Sequence, residues 1–297
     1  MLSSGGDSIK IGIIGAGRVG CSIGKYLIEQ GQALTGYYSK SKKSVEQAAT
    51  FTGTRAFSSL EEIVKLCDVI WITTPDSEIA PVWESIRNLS EQDKIVCHFS
   101  GSLSSVVFSN RNGNGIKACS IHPMYAFNDK FTSYLQLKNV IFTIEGDDSA
   151  TREMKKLFKG LGNRVVLISP EQKTCYHAAA VTASNLMIGL YQMSLDMLAS
   201  CGFDENTARA LLTHLVRGNV EKMLSSSPKD ALTGPVERGD CGTIEKHLKA
   251  LPWQEREIYL ALSARLLPLA KQKNPERDYR PVEDLLAQAL KNIPDWE

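Results

Sequence analysis

Residues Lys10–Lys42 read KIGIIGAGRVGCSIGKYLIEQGQALTGYYSKSK. The apolar run Ile11–Ile14 has the character of a fully buried parallel strand. Gly15-Ala-Gly17-Arg-Val-Gly20 follows, then a segment of helical period from Val19 to Glu29. Gly31 ends that helix, and a second strand-like run spans Ala33–Tyr38. A G-x-G-x-x-G between strand and helix of a βαβ unit is the dinucleotide-binding fingerprint in the context it requires. Gly15 makes the tight turn, Gly17 lets backbone approach a pyrophosphate, and Gly20 permits close packing of helix on strand. Arg18, Val19 and Gly20 open the helix, whose unpaired N–H groups and positive dipole end suit phosphates.

The end of the second strand refines this. A site for NAD places Asp or Glu about 20 residues after the glycines, on the ribose 2′-hydroxyl. Here Ser39, Lys40, Ser41 and Lys42 are followed by Lys43, and the first acid is Glu46. Hydroxyls and ammonium groups hold a 2′-phosphate that a carboxylate would repel, so the turn points to NADP. The plainer reading is a solvated basic turn.

A chain of 297 residues, 43% hydrophobic and 23% charged, can bury a large core and suggests two domains. Lys+Arg 34 against Asp+Glu 33 leaves +1, which favours neither nucleic acid nor an anionic membrane as partner. No apolar run approaches the roughly 18 residues that span a bilayer. The start, MLSSGGDSIK, is short and polar, unlike a signal peptide. Seven scattered cysteines without C-x-x-C read as buried reduced thiols of a cytoplasmic protein, and neither a disulfide framework nor a metal site is expected.

Further along, Thr54–Phe57, Asp68–Thr74, Lys94–His98 and Ile116–Ile121 read as strands, with Val140–Ile144 and Arg164–Ile168 around a helix from Ser149 to Lys159. Ligands sit at the carboxyl ends of strands in open α/β sheets. Thr73, Thr74 and Pro75 should therefore lie along the cofactor, with Asp76 or Ser77 capping the next helix, and Ser100 and Gly101 reach the same edge. After Ser169 only helix-period segments remain, the longest from Gln172 to Ser200. The expected architecture is α/β: a doubly wound, mostly parallel Rossmann sheet over 1–169, followed by an all-helical substrate and dimerisation domain over 170–297. The long helix is apolar nearly all round, which suits a domain centre or the interface of a homodimer.

That helix carries Lys173, His177 and Asn185. Lys173 and His177 are four apart and share a face, and Asn185 falls near the same stripe. Polar groups on so apolar a helix are costly unless satisfied or used, and an imidazole suits proton transfer near neutrality. The plainer reading makes Lys173 a surface lysine and the other two structural hydrogen-bonding groups. His122, placed just after the sixth strand and before Pro123, can line a substrate pocket or bond a loop carbonyl. Ala231–Asp240, ALTGPVERGD, reads as an ordered non-helical connection. Arg238 there can pair bidentately with a carboxylate and Thr233 can bond it, or the segment is simply an interhelix loop ending in an Asp240 N-cap.

GAGRVG, HFSGS, IHPMYAF, YHAAAVTASNL and LTGPVERGD together resemble the Rossmann-like proteins with a 6-phosphogluconate-dehydrogenase-type helical domain, in the family carrying a DUF2520 C-terminal domain. The resemblance spans essentially the whole chain. Its relatives include pyrroline-5-carboxylate and ketopantoate reductases, and some members look like an alternative ketopantoate reductase of pantothenate synthesis. In ketopantoate reductases a helix lysine and an asparagine four residues later serve the substrate. Lys173 matches the lysine, whereas His177 stands at the second position. The resemblance implies an NADPH-dependent reductase of a small 2-oxo acid, foremost 2-dehydropantoate. The alternatives are a cyclic-imine reductase and a non-catalytic NADP(H)-binding redox sensor.

Overall fold

A computed structural model of the chain describes residues 9–89, 94–110 and 115–291. Strands and helices alternate from the start: β1 (Ile11–Ile14), α1 (Arg18–Glu29), β2 (Leu34–Tyr38), α2 (Lys42–Thr52), β3 (Arg55–Ala56), α3 (Leu60–Leu66), β4 (Val69–Ile72), α4 (Asp76–Ile86) and β5 (Ile95–His98). Then come β6 (Lys117–Pro123), β7 (Phe142–Gly146), α5 (Asp148–Gly160) and β8 (Val165–Leu167). The eight strands form one sheet in the order β3-β2-β1-β4-β5-β6-β7-β8. All pairings are parallel except β6 with β7. Strand order reverses between β1 and β4, which opens the crevice where doubly wound sheets take ligands.

β1, β4 and β5 are buried along their whole length, so apart from His98 at the end of β5 their sequences are continuously apolar rather than alternating. Ile13, Val69, Trp71, Cys97 and Ile121 face a core shared with α1, α2 and α5. Ile14, Ile70, Ile72 and Val96 face the opposite core, filled by Ile63 of α3 and Trp83 of α4. Serines fix two helix starts: Ser41 accepts from the Ser44 N–H and Ser59 from that of Glu62.

After β8 the described residues hold only helices: a 3₁₀ turn (Pro170–Gln172), then α6 (Lys173–Ala183), α7 (Asn185–Ser200), α8 (Glu205–Ser225), α9 (Pro228–Ala231), α10 (Pro235–Arg238), α11 (Cys241–Ala250), α12 (Trp253–Lys273) and α13 (Arg280–Lys291). Two compact units result, Met1–Ser184 and Asn185–Glu297. The first therefore runs past the expected 169/170 boundary and includes α6. The second has its own core around Ile244, Leu260, Val282 and Leu286.

Several expectations need correction. The single helix over 172–200 is two helices, parted at Ser184, whose φ of −121° and ψ of −71° leave the helical region. The Thr182 and Ser184 hydroxyls donate to the carbonyls of Ala178 and Ala180, a back-bonding that bends helices. Asn185 thus starts a new helix and is not on one continuous stripe with Lys173 and His177. Leu186, Met187, Ile188 and Leu190 are exposed in the single chain, which removes the domain-centre reading of this stretch and leaves the interface reading untouched. Neither Asp76 nor Ser77 caps α4, since Asp76 lies inside it and the N-cap is Pro75. His122 lies within β6 rather than after it, because the antiparallel partner β7 prolongs the pairing to Pro123. Segment 231–240 contains the one-turn helix α10, although Asp240 does cap α11 as expected. Cys21, Cys67, Cys97 and Cys119 are buried, whereas Cys175 on α6 and Cys201 in the turn after α7 are exposed and Cys241 on α11 is half-buried.

Candidate functional site

The glycine turn is built from backbone contacts that admit no side chain. Gly15 has φ +110°, and a Cβ on it would lie 2.8 Å from the Thr73 carbonyl carbon. A Cβ on Gly20 would lie 2.3 Å from the Gly15 oxygen. Thr73 locks the arrangement, its hydroxyl donating to Gly15 O (2.8 Å) and its N–H to Ile14 O (2.8 Å). Around Gly17, by contrast, nothing lies within 4 Å of where a Cβ would stand. α1 begins there without a side-chain cap and without an acid in its first turn. Open N–H groups at an uncapped helix start, with no carboxylate nearby, suit a pyrophosphate. Arg18 and Val19 follow, exposed and half-buried. Thr74 Oγ1 is buried without a protein partner and is a ready donor for a ligand.

This turn forms one wall of a cleft of about 430 Å³ that runs past Thr73, Thr74 and Pro75 to Ser39, Lys40 and Ser41. In the basic turn Ser41 caps α2 through its side chain, and Ser39 Oγ accepts from the Ser41 N–H at 3.4 Å. Lys42 is exposed in the first turn of α2. Lys40 reaches across to Glu78 Oε2 at 2.6 Å.

A second group assembles at the carboxyl edge of β5 and β6, still within the first unit. Ser120 and His122 are two apart in β6 and so project from one sheet face. α6 lies against that face. Lys173, 1% exposed, donates from Nζ to Ser120 Oγ at 2.6 Å. The Tyr176 hydroxyl pairs with His122 Nδ1 at 2.7 Å. His177 Nδ1 lies 2.5 Å, and His122 Nε2 2.8 Å, from the place a Cβ of Gly101 would take. His177 Nδ1 is buried and has no protein partner. Spacings of three and four thus turn Lys173, Tyr176 and His177 to one side of α6. Ser100, buried beside Gly101, donates to Asp76 Oδ2 at 2.8 Å, as does Ser102 at 2.6 Å. Asp76 thereby ties the start of α4 to the turn after β5 instead of capping the helix.

Burial dominates the electrostatics here. Desolvation pulls Lys173 down to about 8, against Glu145 and Asp76, which favour its cation. Desolvation, aided by Lys173 and His177, pulls His122 down to about 3. Desolvation likewise takes His98 to about 4. At neutral pH, therefore, Lys173 carries a proton to give, while His122 and His98 are neutral hydrogen-bonding rings. Glu145, 2% exposed, stands opposite Ser120 across the β6–β7 ladder and accepts from Ser105 N and Oγ.

The structure brings together Gly15, Gly17, Gly20, Thr73, Thr74, Pro75 and the basic turn, and separately Gly101, His122, Lys173 and His177. Asn185, Thr233 and Arg238 belong to the second unit, all three exposed. Sequence reading missed Ser120, Tyr176, Glu145 and Glu78. A signal existed for Ser120, since period two puts it on the same face as His122, and for Tyr176, which neighbours His177. No local pattern marks Glu145 or Glu78, which act across the sheet and across the cleft.

Comparison with known proteins matches residues 5–123 to a Rossmann-like domain and residues 140–266 to the family described as domain of unknown function DUF2520. A search among curated proteins found no match. Among solved structures, protein TM1727 from Thermotoga maritima is 25% identical with a TM-score of 0.70, covering 89% of this chain and 99% of that one. A Bacteroides fragilis protein named as a candidate NADP oxidoreductase is 23% identical with a TM-score of 0.70, covering 88% and 98%. The pyrroline carboxylate reductase of Plasmodium falciparum, with NADP bound, shares the fold at 16% identity and a TM-score of 0.56, covering 96% and 98%.

Proposed function

We propose that this chain, a Rossmann-like domain joined to a DUF2520 domain, is an NADPH-dependent reductase of a small 2-oxo acid, with 2-dehydropantoate as the foremost substrate and pantoate as product. The observation that carries the reading is a buried Lys173, bonded to Ser120 and beside two imidazoles, at the strand edge adjoining an uncapped glycine turn. Gly15, Gly17 and the first turn of α1 would hold the pyrophosphate, Ser39 to Lys42 the 2′-phosphate, and Thr73–Pro75 with Ser100 and Gly101 the remainder of the cofactor. A reduced nicotinamide held there would supply the hydride for the carbonyl carbon. Lys173 gives its proton to the developing alkoxide, held in place by Ser120. His177 Nδ1, lacking a protein partner, bonds the substrate oxygen, and neutral His122, fixed by Tyr176, shapes the pocket. Preorganised donors of this kind supply much of the barrier lowering in such sites. The exposed Leu186, Met187, Ile188 and Leu190 of α7 pair two copies into a homodimer.

Steady-state NADPH oxidation, with ketopantoate and pyrroline-5-carboxylate assayed in parallel, tests the proposal. Turnover of ketopantoate is expected. Turnover of the imine alone would transfer the site to imine reduction, and tight NADPH binding with neither turned over would make the chain a redox sensor.

A further inference from the structure

Glu78, which pairs with Lys40 at the adenosine end of the cleft, has no role in the mechanism above. Lys40 follows β2, whereas Glu78 lies in the first turn of α4, and both line the cleft with Ser39, Ser41, Leu60 and Pro81. Their 2.6 Å contact therefore bridges two elements at the place where a ribose 2′-substituent is expected. The side chains are 81% and 39% exposed, so water screens the pair and an incoming charge can divide it. A Rossmann site that takes a 2′-hydroxyl offers it an acid from the end of the second strand. β2 offers no acid there, and Glu78 supplies one from the facing helix.

Resting on the NADPH reading of this cleft, we propose that Glu78 is a specificity-determining residue that restrains the preference for NADPH and keeps NADH usable. With a 2′-hydroxyl, the carboxylate accepts the hydroxyl proton while Lys40 remains beside it. With a 2′-phosphate, Lys40 must leave Glu78 for the phosphate, and the freed carboxylate then faces a group carrying about two negative charges. Both effects weaken NADPH and neither weakens NADH. Glu78→Gln keeps the length of the side chain and removes the charge.

The experiment is fluorescence titration of full-length protein with NADPH and with NADH, for wild type, Glu78→Gln, Lys40→Gln and the double variant, with thermal unfolding as the folding control. Glu78→Gln is expected to tighten NADPH about tenfold, a change of about 1.4 kcal/mol, and to weaken NADH at most about threefold. Lys40→Gln is expected to weaken NADPH about tenfold and NADH less than about twofold. In the Lys40→Gln background, the gain from Glu78→Gln should shrink to about threefold, because only the repulsion is left to remove. A ratio of NADH to NADPH dissociation constants that rises less than about threefold in Glu78→Gln overturns the inference. Wild type that binds neither nucleotide overturns the reductase reading and this inference with it. Binding of both nucleotides without reduction of any 2-oxo acid removes only the substrate, and the Glu78 ratio is still decided by the titration.

Discussion

Replacing Lys173 by Met should abolish turnover and yet make the protein more stable at neutral pH. Lys173 is 1% exposed, and burial lowers it from 10.5 to about 8. Its unfolded-state value is the higher one, so below pH 8 folding must bury a cation that water would rather hold. A lowering of between two and three units at 1.36 kcal/mol each gives a penalty of about 3 kcal/mol at pH 7. That penalty fades as pH rises from 8 towards 10.5, because over this range the folded lysine is already neutral while the unfolded one still holds its proton. Methionine has similar volume and no charge. It forfeits the bond to Ser120 Oγ, which offsets about 1 kcal/mol at every pH. The informative quantity is therefore the pH dependence of the difference between variant and wild type. In urea unfolding the advantage of Lys173→Met should shrink by about 2–3 kcal/mol between pH 7 and pH 10. A difference that stays constant over that range would show that the lysine is not buried as a cation, and the reasoning would fall.

Other outcomes follow from the same geometry. Gly101→Ala places a methyl 2.5 Å from His177 Nδ1 and should lower kcat at least about hundredfold, read by steady-state kinetics. Gly15→Ala meets a φ of +110° and the Thr73 backbone, so NADPH titration should show no binding. Thr73→Val removes the hydroxyl that locks the turn, and NADPH should bind about tenfold more weakly in the same assay. The kcat–pH profile should fall as pH rises through about 8, where Lys173 loses its proton, and Lys173→Arg should remove that limb.

Much of this was legible in the chain because it is local. The glycine turn, the strand runs and the spacing of Lys173 and His177 each depend on neighbours within a few residues. The break at Ser184 was not, because apolar periodicity continues through it and the cause is two hydroxyls turning back on their own helix. The burial of Lys173 was equally hidden: a lysine near a helix start reads as solvated until β6 supplies Ser120 to receive it. Asp76 looked like a cap because acids favour helix starts, yet Ser100 and Ser102 claim its carboxylate across the sheet edge. Glu78 is an ordinary first-turn acid by sequence, and only the path of β2 brings Lys40 to it.

Single-turnover mixing of protein-bound NADPH with 2-dehydropantoate tests the central claim most directly. The expected result is loss of the reduced nicotinamide signal with one equivalent of pantoate formed, and nucleotide binding without this loss in Lys173→Met. Persistence of the reduced signal in wild type, with NADPH bound and the 2-oxo acid saturating, would contradict the account.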